Sequence, residues 1–377
     1  MITDFFHFSY FSYQIIRNLY STGACRASYF QQRNFLRFVF PKWEDLLKYQ
    51  LKPFQITYSM ASVQHNVQSQ ITNTILMVRP VAFRKNEQTA VNNYFQEDLE
   101  VKNAEINAKA QHEFDAMVNS LRNAGIQVLV LDDDLIEDTP DSIFPNNWVS
   151  THANGDVAVY PMYAENRRKE RREAFFILLE DHSFKINNIV DYTDAEEEGF
   201  FLEGTGSIVL DRTNEKAYCA LSARADEALF IEFCEDFEYF PVIFNAFQTK
   251  NGKRLPIYHT NVMMCITEEF CVICLDCIDD KKERKNVVQH LKDSGKEIIA
   301  ITEGQLQHFS GNMLQLINDK GEKLLVMSQD AHQSLTPDQV ETIIKYNKII
   351  SSDLSTIETC GGGSARCMMA EIFLPKV

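Results

Sequence analysis

Residues 201–221, FLEGTGSIVLDRTNEKAYCAL, contain the pattern that decides the fold. A polar residue, Glu203, stands at a glycine-rich turn, and two hydrophobic runs then flank the polar segment DRTNEK. Hydrophobic runs separated by a short polar turn are typical of a β-hairpin. Three other segments follow the same plan, which predicts that the hairpin is one copy of a repeat. They are FPNNWVSTHANGDVAVYPM (144–162), YHTNVMMCITEEFCVICLDC (258–277) and FSGNMLQLINDKGEKLLVMS (309–328).

Polar residues at the start of these segments recur at an almost constant interval. Asn147, Glu203, His259, Asn312 and, in GGGSARC, Cys367 are separated by 56, 56, 53 and 55 residues. A fixed interval of this length indicates a repeated structural unit. If the units surround an axis, one point would hold a thiol, an imidazole, a carboxylate and two amides. These groups are the equipment of an enzyme with a cysteine nucleophile.

Each hairpin is followed by a predicted helix and a returning strand, so the unit reads strand, strand, helix, strand. The last segment, GGGSARCMMAEIFLP, supplies only a hairpin. Its missing parts are predicted in TILMVRP (74–80) and IQVLVLD (126–132), two strands around a helix over about 96–122 that stops at Gly125. Five units, closed into a ring by the two chain ends, then form one α/β domain. The other predicted helices are 164–181, 224–237, 279–295 and 336–346, and the returning strands are 184–192, 239–247, 296–302 and 347–354.

Residues 1–59 differ in composition from the rest of the chain. They carry seven Lys or Arg against three Asp or Glu, with dense aromatic runs such as FFHFSYFSY. They show neither the pattern of a signal peptide nor the polarity of a typical disordered tail. We predict that 1–59 is an atypical, dispensable extension and that 60–377 is a single catalytic domain. We further hypothesise that the extension is not part of the natural product, whose translation would begin at Met60.

Charge and cysteine usage limit the class of protein. With 377 residues and a formal net charge of −16, the chain lacks the basic footprint that nucleic acids and anionic membranes require. No apolar run approaches the ~18 residues of a membrane span. Nine cysteines, several of them inside apolar runs, favour reduced thiols in a cytoplasmic protein over a disulfide framework. Because Cys271, Cys274 and Cys277 lack a second group of ligands, we interpret them as small apolar residues rather than as a metal site.

Cys367, His259 and Glu203 each have a structural as well as a catalytic interpretation. A cysteine in a glycine-rich loop, a lone histidine and a glutamate that follows the acidic run EEEG are commonly structural or solvated. Their shared place in the repeat favours catalysis. In that interpretation Cys367 is the nucleophile and His259 transfers protons and activates water. Glu203 then fixes the substrate nitrogen or holds His259 as imidazolium.

The motifs FPNNW, FLEGTGS, LSARAD, HTN, FSGNM and GGGSARC, in this order, resemble those of the amidinotransferase and arginine-deiminase superfamily, the penteins. The resemblance covers about residues 71–377. It implies a five-bladed α/β propeller of ββαβ repeats with pseudo-five-fold symmetry around a central active site. It also implies that Cys367, His259 and Glu203 act on a guanidino or related carbon, without a metal or an organic cofactor.

Two positions depart from the pattern of guanidino-processing penteins. Where those proteins usually carry aspartate, this chain has Asn147, with Asn146 beside it, and Asn261. Aspartates suit a cationic guanidinium, whereas an uncharged asparagine, which both donates and accepts, suits a neutral ureido group. With MVRPVAF and NNYFQ nearer the start, the motifs resemble the bacterial citrulline-hydrolase branch. The resemblance therefore implies hydrolysis of citrulline to ornithine, ammonia and carbon dioxide.

Other substrate contacts have weaker sequence support. Arg224 in LSARAD matches a family position associated with the substrate carboxylate, although a surface charge at a helix start also explains it. Arg79, together with Asn86 and Asn93, is expected to close the amino-acid end of the pocket. Arg366, next to the nucleophile, either stabilises the thiolate or points away.

Several alternatives stay open on this fold. An arginine deiminase, a dimethylarginine hydrolase or an amidinotransferase would keep the fold and change the substrate. A binding module without catalysis is the alternative from another class. The expected partner is a small ureido or guanidino amino acid, with neither nucleic acid nor membrane, and the sequence is compatible with a homo-oligomer.

Overall fold

Five three-stranded sheets make up most of the strand structure of residues 68–377, the part of the chain that the computed structural model describes. In each sheet the middle strand pairs antiparallel with one neighbour and parallel with the other. A hairpin followed by a helical crossover produces this order. The strands are β1 Thr74–Arg79, β2 Gln127–Asp132, β3 Val149–Thr151, β4 Asp156–Val159, β5 Asn188–Asp191, β6 Ile208–Asp211, β7 Lys216–Ala220, β8 Phe240–Phe244, β9 Phe247–Lys250, β10 Lys253–Pro256, β11 Met264–Ile266, β12 Phe270–Ile273, β13 Glu297–Ala300, β14 Leu314–Ile317, β15 Lys323–Ser328, β16 Lys348–Ser352 and β17 Ala370–Glu371.

Four of the sheets are built from consecutive strands, in the orders β3-β4-β5, β6-β7-β8, β11-β12-β13 and β14-β15-β16. These strands coincide with the four predicted hairpins and their returning strands. The fifth sheet, β17-β1-β2, joins the two ends of the described chain, with Ile75 opposite Glu371 and Leu76 opposite Ala370. The predicted completion of the last unit by the early strands is therefore confirmed.

Twelve α-helices are present among the described residues, and most of the longer ones connect the middle strand of a sheet to its third strand. They are α1 Glu87–Ala90, α2 Asn103–Asn123, α3 Glu165–Arg168, α4 Glu173–Asp181, α5 Ala195–Glu198, α6 Gly204–Ser207, α7 Glu227–Asp236, α8 Lys281–Asp293, α9 Glu303–Leu306, α10 Gln329–Ser334, α11 Pro337–Ile344 and α12 Ser355–Gly361. Short 3₁₀ turns lie at Pro145–Asn147, Thr260–Val262 and Leu275–Cys277.

Two helix predictions were too long. The helix predicted from residue 96 begins at Asn103, because Gln96 and Glu97 are hydrogen-bonded to the backbone of Gly361 and Thr359. The helix predicted over 164–181 is divided into α3 and α4, because Arg167 turns into the interior and binds Glu170 and other buried acceptors. Both interruptions bury a polar side chain, Gln96 in one and Arg167 in the other.

One hairpin was missed. Strands β9 and β10 pair antiparallel around Asn251 and Gly252, both of which have positive φ angles. An Asn-Gly pair between two strands is the usual signal of a two-residue hairpin turn. The signal was present in the sequence but lay outside the repeat pattern.

The first strands of neighbouring sheets lie side by side. Strand β6 contacts β11, β11 contacts β14, and β17 contacts β3. Helix α6 also contacts the two 3₁₀ turns that precede β3 and β11. The turns that carry the repeated polar residues are therefore neighbours in a mixed α/β fold.

Buried side chains fill the space between these elements. All four residues of β12, including Cys271, are buried, as predicted for an apolar strand that is covered on both faces. The eight described cysteines are unpaired and buried. Among the described residues no helix is both long and apolar enough to span a membrane.

Candidate active site

The predicted catalytic carboxylate and imidazole stand in tight turns that directly precede the first strands. Glu203 is the N-cap residue of α6, and His259 precedes the 3₁₀ turn before β11. The close packing of these turns requires a glycine after Glu203. Gly204 has a φ of 41°, and a Cβ atom there would lie 2.6 Å from the carbonyl oxygen of Asn146.

A hydrogen bond of 2.7 Å joins Oε2 of Glu203 to Nε2 of His259. Both side chains are almost fully buried, with 0% and 2% exposure. Oε1 of Glu203 accepts a bond from the backbone N–H of Tyr163 at 3.0 Å. Nitrogens of Arg224 and Arg167 lie 3.5 and 3.9 Å from Oε2. The carboxylate is therefore held from several sides and orients the imidazole.

The electrostatics of this pair define its protonation. Burial alone would raise the pKa of Glu203, but Arg224, the bond to His259 and Arg167 outweigh it and lower that pKa to about 2. Burial lowers the pKa of His259 to about 4, although Glu203 acts in the opposite direction. At neutral pH the imidazole is therefore neutral. It donates its Nε2 proton to Glu203 and leaves Nδ1 able to accept a proton.

Cys367 is surrounded by amides rather than by carboxylates. Its sulfur lies 3.3 Å from Nδ2 of Asn312 and 3.6 Å from Nδ2 of Asn261. Burial raises the pKa of Cys367, while bonds from the Ser364 turn and these amides, and the charge of Arg366, act to lower it. The raised pKa favours the protonated thiol at neutral pH, and the sulfur is placed among donors that would stabilise a thiolate.

Cys367 and His259 line one small cavity. The cavity volume that is open to the centre of a water molecule is only about 10 Å³, which is room for about one water. A substrate of amino-acid size therefore cannot enter without displacement of part of the lining. The lining residues are Asn93, Asp141, Phe144, Asn147, Arg167, Arg224, Tyr258, His259, Gly361, Gly362, Gly363 and Cys367.

The segment between β1 and α2 covers this cavity. Arg224 donates to the carbonyl oxygen of Thr89 and, through Nε, to Oδ1 of Asn92, each at 2.9 Å. Nδ2 of Asn93 donates to the carbonyl oxygen of Gly362 at 3.2 Å. These polar bonds join the cover to the cavity lining, while Phe83 and Phe95, with 1% and 6% exposure, anchor it in the hydrophobic core.

Two charged residues in the lining were not predicted. Nη1 of Arg167 donates to Oδ1 of Asn147 at 2.8 Å, and its other nitrogens bind Glu170. Asp141 accepts bonds from Asn86 and Thr89 through Oδ2, but its buried Oδ1 has no partner among the described residues. Neither residue belongs to the repeated series, and in sequence Arg167 looks like one of several charges on a surface helix.

The structure brings most of the predicted site residues together. The two exceptions are Asn146 and Arg79, neither of which lines the cavity. Asn146 lies behind Asn147 and accepts a bond from it at 3.1 Å. Arg224 is buried and lines the cavity, so its interpretation as a surface charge is wrong. Arg79 is placed elsewhere, in a two-bond ion pair with Asp115, and does not line the cavity.

Arg366 follows the second of its two interpretations, and Asn312 has a contact that was not predicted. The guanidinium of Arg366 points away from the sulfur and binds Glu371 at 2.7 Å, while its backbone N–H donates to Oδ1 of Asn312. Asn312 was part of the periodic series but was not among the predicted substrate-binding residues. Its contact with Cys367 shows that the spacing already marked it.

Several known structures share the fold of this chain. ArgZ, an arginine dihydrolase from the ornithine-ammonia cycle in cyanobacteria, aligns with a TM-score of 0.62 at 15% identity, over 81% of this chain and 41% of ArgZ. The N-terminal domain of ArgZ bound to substrate aligns with a TM-score of 0.59 at 15% identity, over 80% of this chain and 99% of that domain. A cysteine-to-serine variant of DDAH from Pseudomonas aeruginosa, complexed with citrulline, aligns with a TM-score of 0.55 at 14% identity, over 80% and 99%. The chain thus spans about two fifths of full-length ArgZ and has the fold of these penteins.

A model of one protein family matches most of the described chain. Residues 79–374 match the family described as N,N dimethylarginine dimethylhydrolase, eukaryotic, and the chain belongs to that family. Its members are hydrolases of non-peptide C–N bonds within the pentein superfamily. No curated protein sequence matches the chain.

Proposed function

We propose that the protein is a cysteine-dependent hydrolase of the ureido C–N bond of citrulline, forming ornithine, ammonia and carbon dioxide. The observation that carries the proposal is the neutral environment of the sulfur, which contacts the amides of Asn261 and Asn312 at 3.6 and 3.3 Å. A ureido oxygen needs donors and its nitrogens need acceptors, and asparagine offers both.

The bonds of Asn147 favour a neutral substrate group as well. Nη1 of Arg167 donates to Oδ1 of Asn147 at 2.8 Å, while two other nitrogens of Arg167 bind the carboxylate of Glu170. The Asn147 amide carries no charge, so it offers no carboxylate to pair with a substrate guanidinium. A ureido group, which carries no charge, needs no such partner.

The proposed reaction begins with both the Cys367 thiol and the His259 imidazole uncharged. Sulfur forms a bond to the ureido carbon, the thiol proton passes to Nδ1 of His259, and the departing nitrogen takes that proton as its C–N bond breaks. The intermediate is a carbamoyl thioester. Water, deprotonated by His259, then cleaves the C–S bond and restores the thiol. The released carbamate decomposes to an amine or ammonia and carbon dioxide, whichever nitrogen leaves first.

The remaining side chains would bind the ends of the substrate. In the proposal Glu203 orients His259 and approaches the substrate nitrogen, while Asn147, supported by Asn146, and Asn261 hold the ureido group. Arg224 is available for the carboxylate after its bonds to the covering segment open. In the proposal the five three-stranded sheets are the five blades of a propeller, and the cavity lies on its axis. This placement would explain why side chains from separate repeats meet at one site.

Hydrolysis of a guanidino compound is the second candidate, and one observation favours it. Oδ1 of Asp141 is buried, lines the cavity and has no partner among the described residues. An unpaired carboxylate oxygen suits a cationic group of the substrate. The family to which the chain belongs is named for dimethylarginine hydrolysis. The α-ammonium group of citrulline would satisfy Asp141 equally well, and for this reason citrulline remains the first choice.

Comparison of citrulline, arginine and dimethylarginine as substrates tests the proposal. Purified protein should release ornithine, ammonia and carbon dioxide from citrulline with a higher kcat/KM than for either guanidine. The variant Asn147→Asp should lower the citrulline-to-arginine ratio by about 10-fold or more, because it places a carboxylate at the reacting group. Asn154→Asp, at an exposed turn, is the matched control and should leave the ratio unchanged. Preferential hydrolysis of a guanidine would contradict the proposal, and inertness toward all three would favour a binding module.

A further inference from the structure

A second cavity lies behind the candidate active site. Its walls come from β6, β11, β14 and β17, the first strands of four sheets. Asn261, whose amide contacts Cys367, also lines this cavity. The centre of a water molecule can move through about 30 Å³ there, so the space exceeds that of a single water.

Arg212 is the unusual residue in the wall of this cavity. Its side chain is almost fully buried, with 2% exposure, and its Nη1 has no hydrogen-bond partner among residues 68–377. Within the same residues, no carboxylate oxygen lies within 4.0 Å of its guanidinium, in contrast to buried Arg167. The guanidinium carbon instead lies 4.0 Å from the centre of the Phe373 ring. An aromatic face contributes only a small part of the stabilisation that a buried charge needs.

The other charges in the cavity do not neutralise Arg212. Arg366 and Glu371 both line it, but they bind each other with an Nη2–Oε2 distance of 2.7 Å. Gln70 is also occupied, since its Oε1 accepts from the backbone N–H of Arg212 and its Nε2 donates to Leu210. The cavity therefore carries a net positive charge and a free N–H donor.

We propose that this cavity binds a small monovalent inorganic anion, such as chloride, as the counter-ion of Arg212. A water molecule could accept the free N–H bond, but it would leave the charge uncompensated. A single negative charge is enough to balance Arg212, because Arg366 and Glu371 neutralise each other. The site is separate from the catalytic cavity and does not depend on the proposed reaction.

Thermal unfolding in different salts gives the first test. If the folded state alone binds chloride, the unfolding midpoint should rise with chloride concentration and increase by about 2 °C at ten times Kd. Gluconate at the same ionic strength, which is too large to enter, should not produce this rise. Arg212→Met should abolish the chloride-specific rise. Arg84→Met, which removes an arginine from an exposed ion pair with Asp138, is the control and should retain it.

Diffraction from crystals of the full chain in sodium bromide gives a direct test that does not require any variant to fold. An anomalous peak for bromide beside Nη1 of Arg212 is expected. No peak at this position, or a chloride-specific rise in unfolding midpoint that is equal in Arg212→Met and the wild type, would overturn the proposal.

Discussion

Gly206 separates two functional side chains, and its replacement by alanine should disable the enzyme more than it destabilises the fold. The glycine lies in α6, directly after the turn of Glu203. A Cβ atom at this position would lie 2.4 Å from Nδ2 of Asn147 and 2.8 Å from Nδ1 of His259. Since ordinary contacts begin near 3.4 Å, the Asn147 amide would have to move by about 1 Å.

Neither Asn147 nor His259 can move freely away from the added methyl group. Asn147 is bound by Arg167 at 2.8 Å, and His259 is bound by Glu203 at 2.7 Å. A displacement of about 1 Å in a catalytic group is enough to lower the rate by roughly 10²-fold. Overpacking of this kind also lowers the free energy of unfolding by about 1–3 kcal/mol. We therefore expect kcat of Gly206→Ala for the best substrate to fall about 100-fold while the protein stays folded at 25 °C.

Gly304→Ala is the matched control. Gly304 also lies in a four-residue helix, α9, but its nearest neighbour to a new Cβ is Oγ1 of Thr302 at 3.6 Å. The added methyl group should leave kcat unchanged and should change stability by less than about 1 kcal/mol in either direction. The assay is steady-state turnover together with denaturant unfolding. Wild-type turnover in Gly206→Ala, or an equal loss in Gly304→Ala, would refute the reasoning.

Three further predictions concern charge and protonation. The pKa of Glu203 is lowered to about 2 and that of His259 to about 4, so both residues bind fewer protons in the folded than in the unfolded state as the pH falls. The stability that Glu203 contributes at neutral pH, about 3 kcal/mol, should thus be lost between about pH 5 and pH 2, and the acid dependence measured by urea unfolding should be weaker in Glu203→Gln. Because the pKa of Cys367 is raised, its alkylation by iodoacetamide should accelerate with increasing pH. Asn312→Ala removes a donor to the thiolate and should slow alkylation at pH 8. A faster reaction of Asn312→Ala would contradict the assigned contact. Arg79→Gln should leave kcat and KM unchanged, because the arginine is held in a surface ion pair outside the cavity, and a large rise in KM would restore its predicted role in substrate binding.

The repeat made much of the fold predictable from sequence. The spacing of Glu203, His259 and Cys367 identified equivalent turns, and the hydrophobic runs after them located the strands. Such local patterns report which elements exist, because strand and turn preferences act over a few residues. The pairing of the chain ends was predictable only because the last unit lacked a helix and a third strand.

The charged lining of the cavity was less accessible to sequence reasoning. Arg167 is one of four arginines within six residues, and only tertiary contacts reveal that it points inward to Asn147. Asp141 lies only three positions before the first residue of the FPNNW motif, but its unpaired oxygen is a property of the packed cavity. The sequence therefore identified the uncharged amides of Asn147 and Asn261. It did not reveal that charged side chains line the same cavity.

The sheet that contains β17 has a consequence for protein synthesis. Its strands come from opposite ends of the described chain, so the nucleophile can take its position only after the ribosome has translated past residue 371. The four sheets of consecutive strands can assemble on the emerging chain, whereas the last must await a contact between residues almost 300 positions apart, as between Ile75 and Glu371. A nascent chain stalled before residue 370 would hold the imidazole and carboxylate in nearly finished surroundings and yet have no reactive sulfur in place.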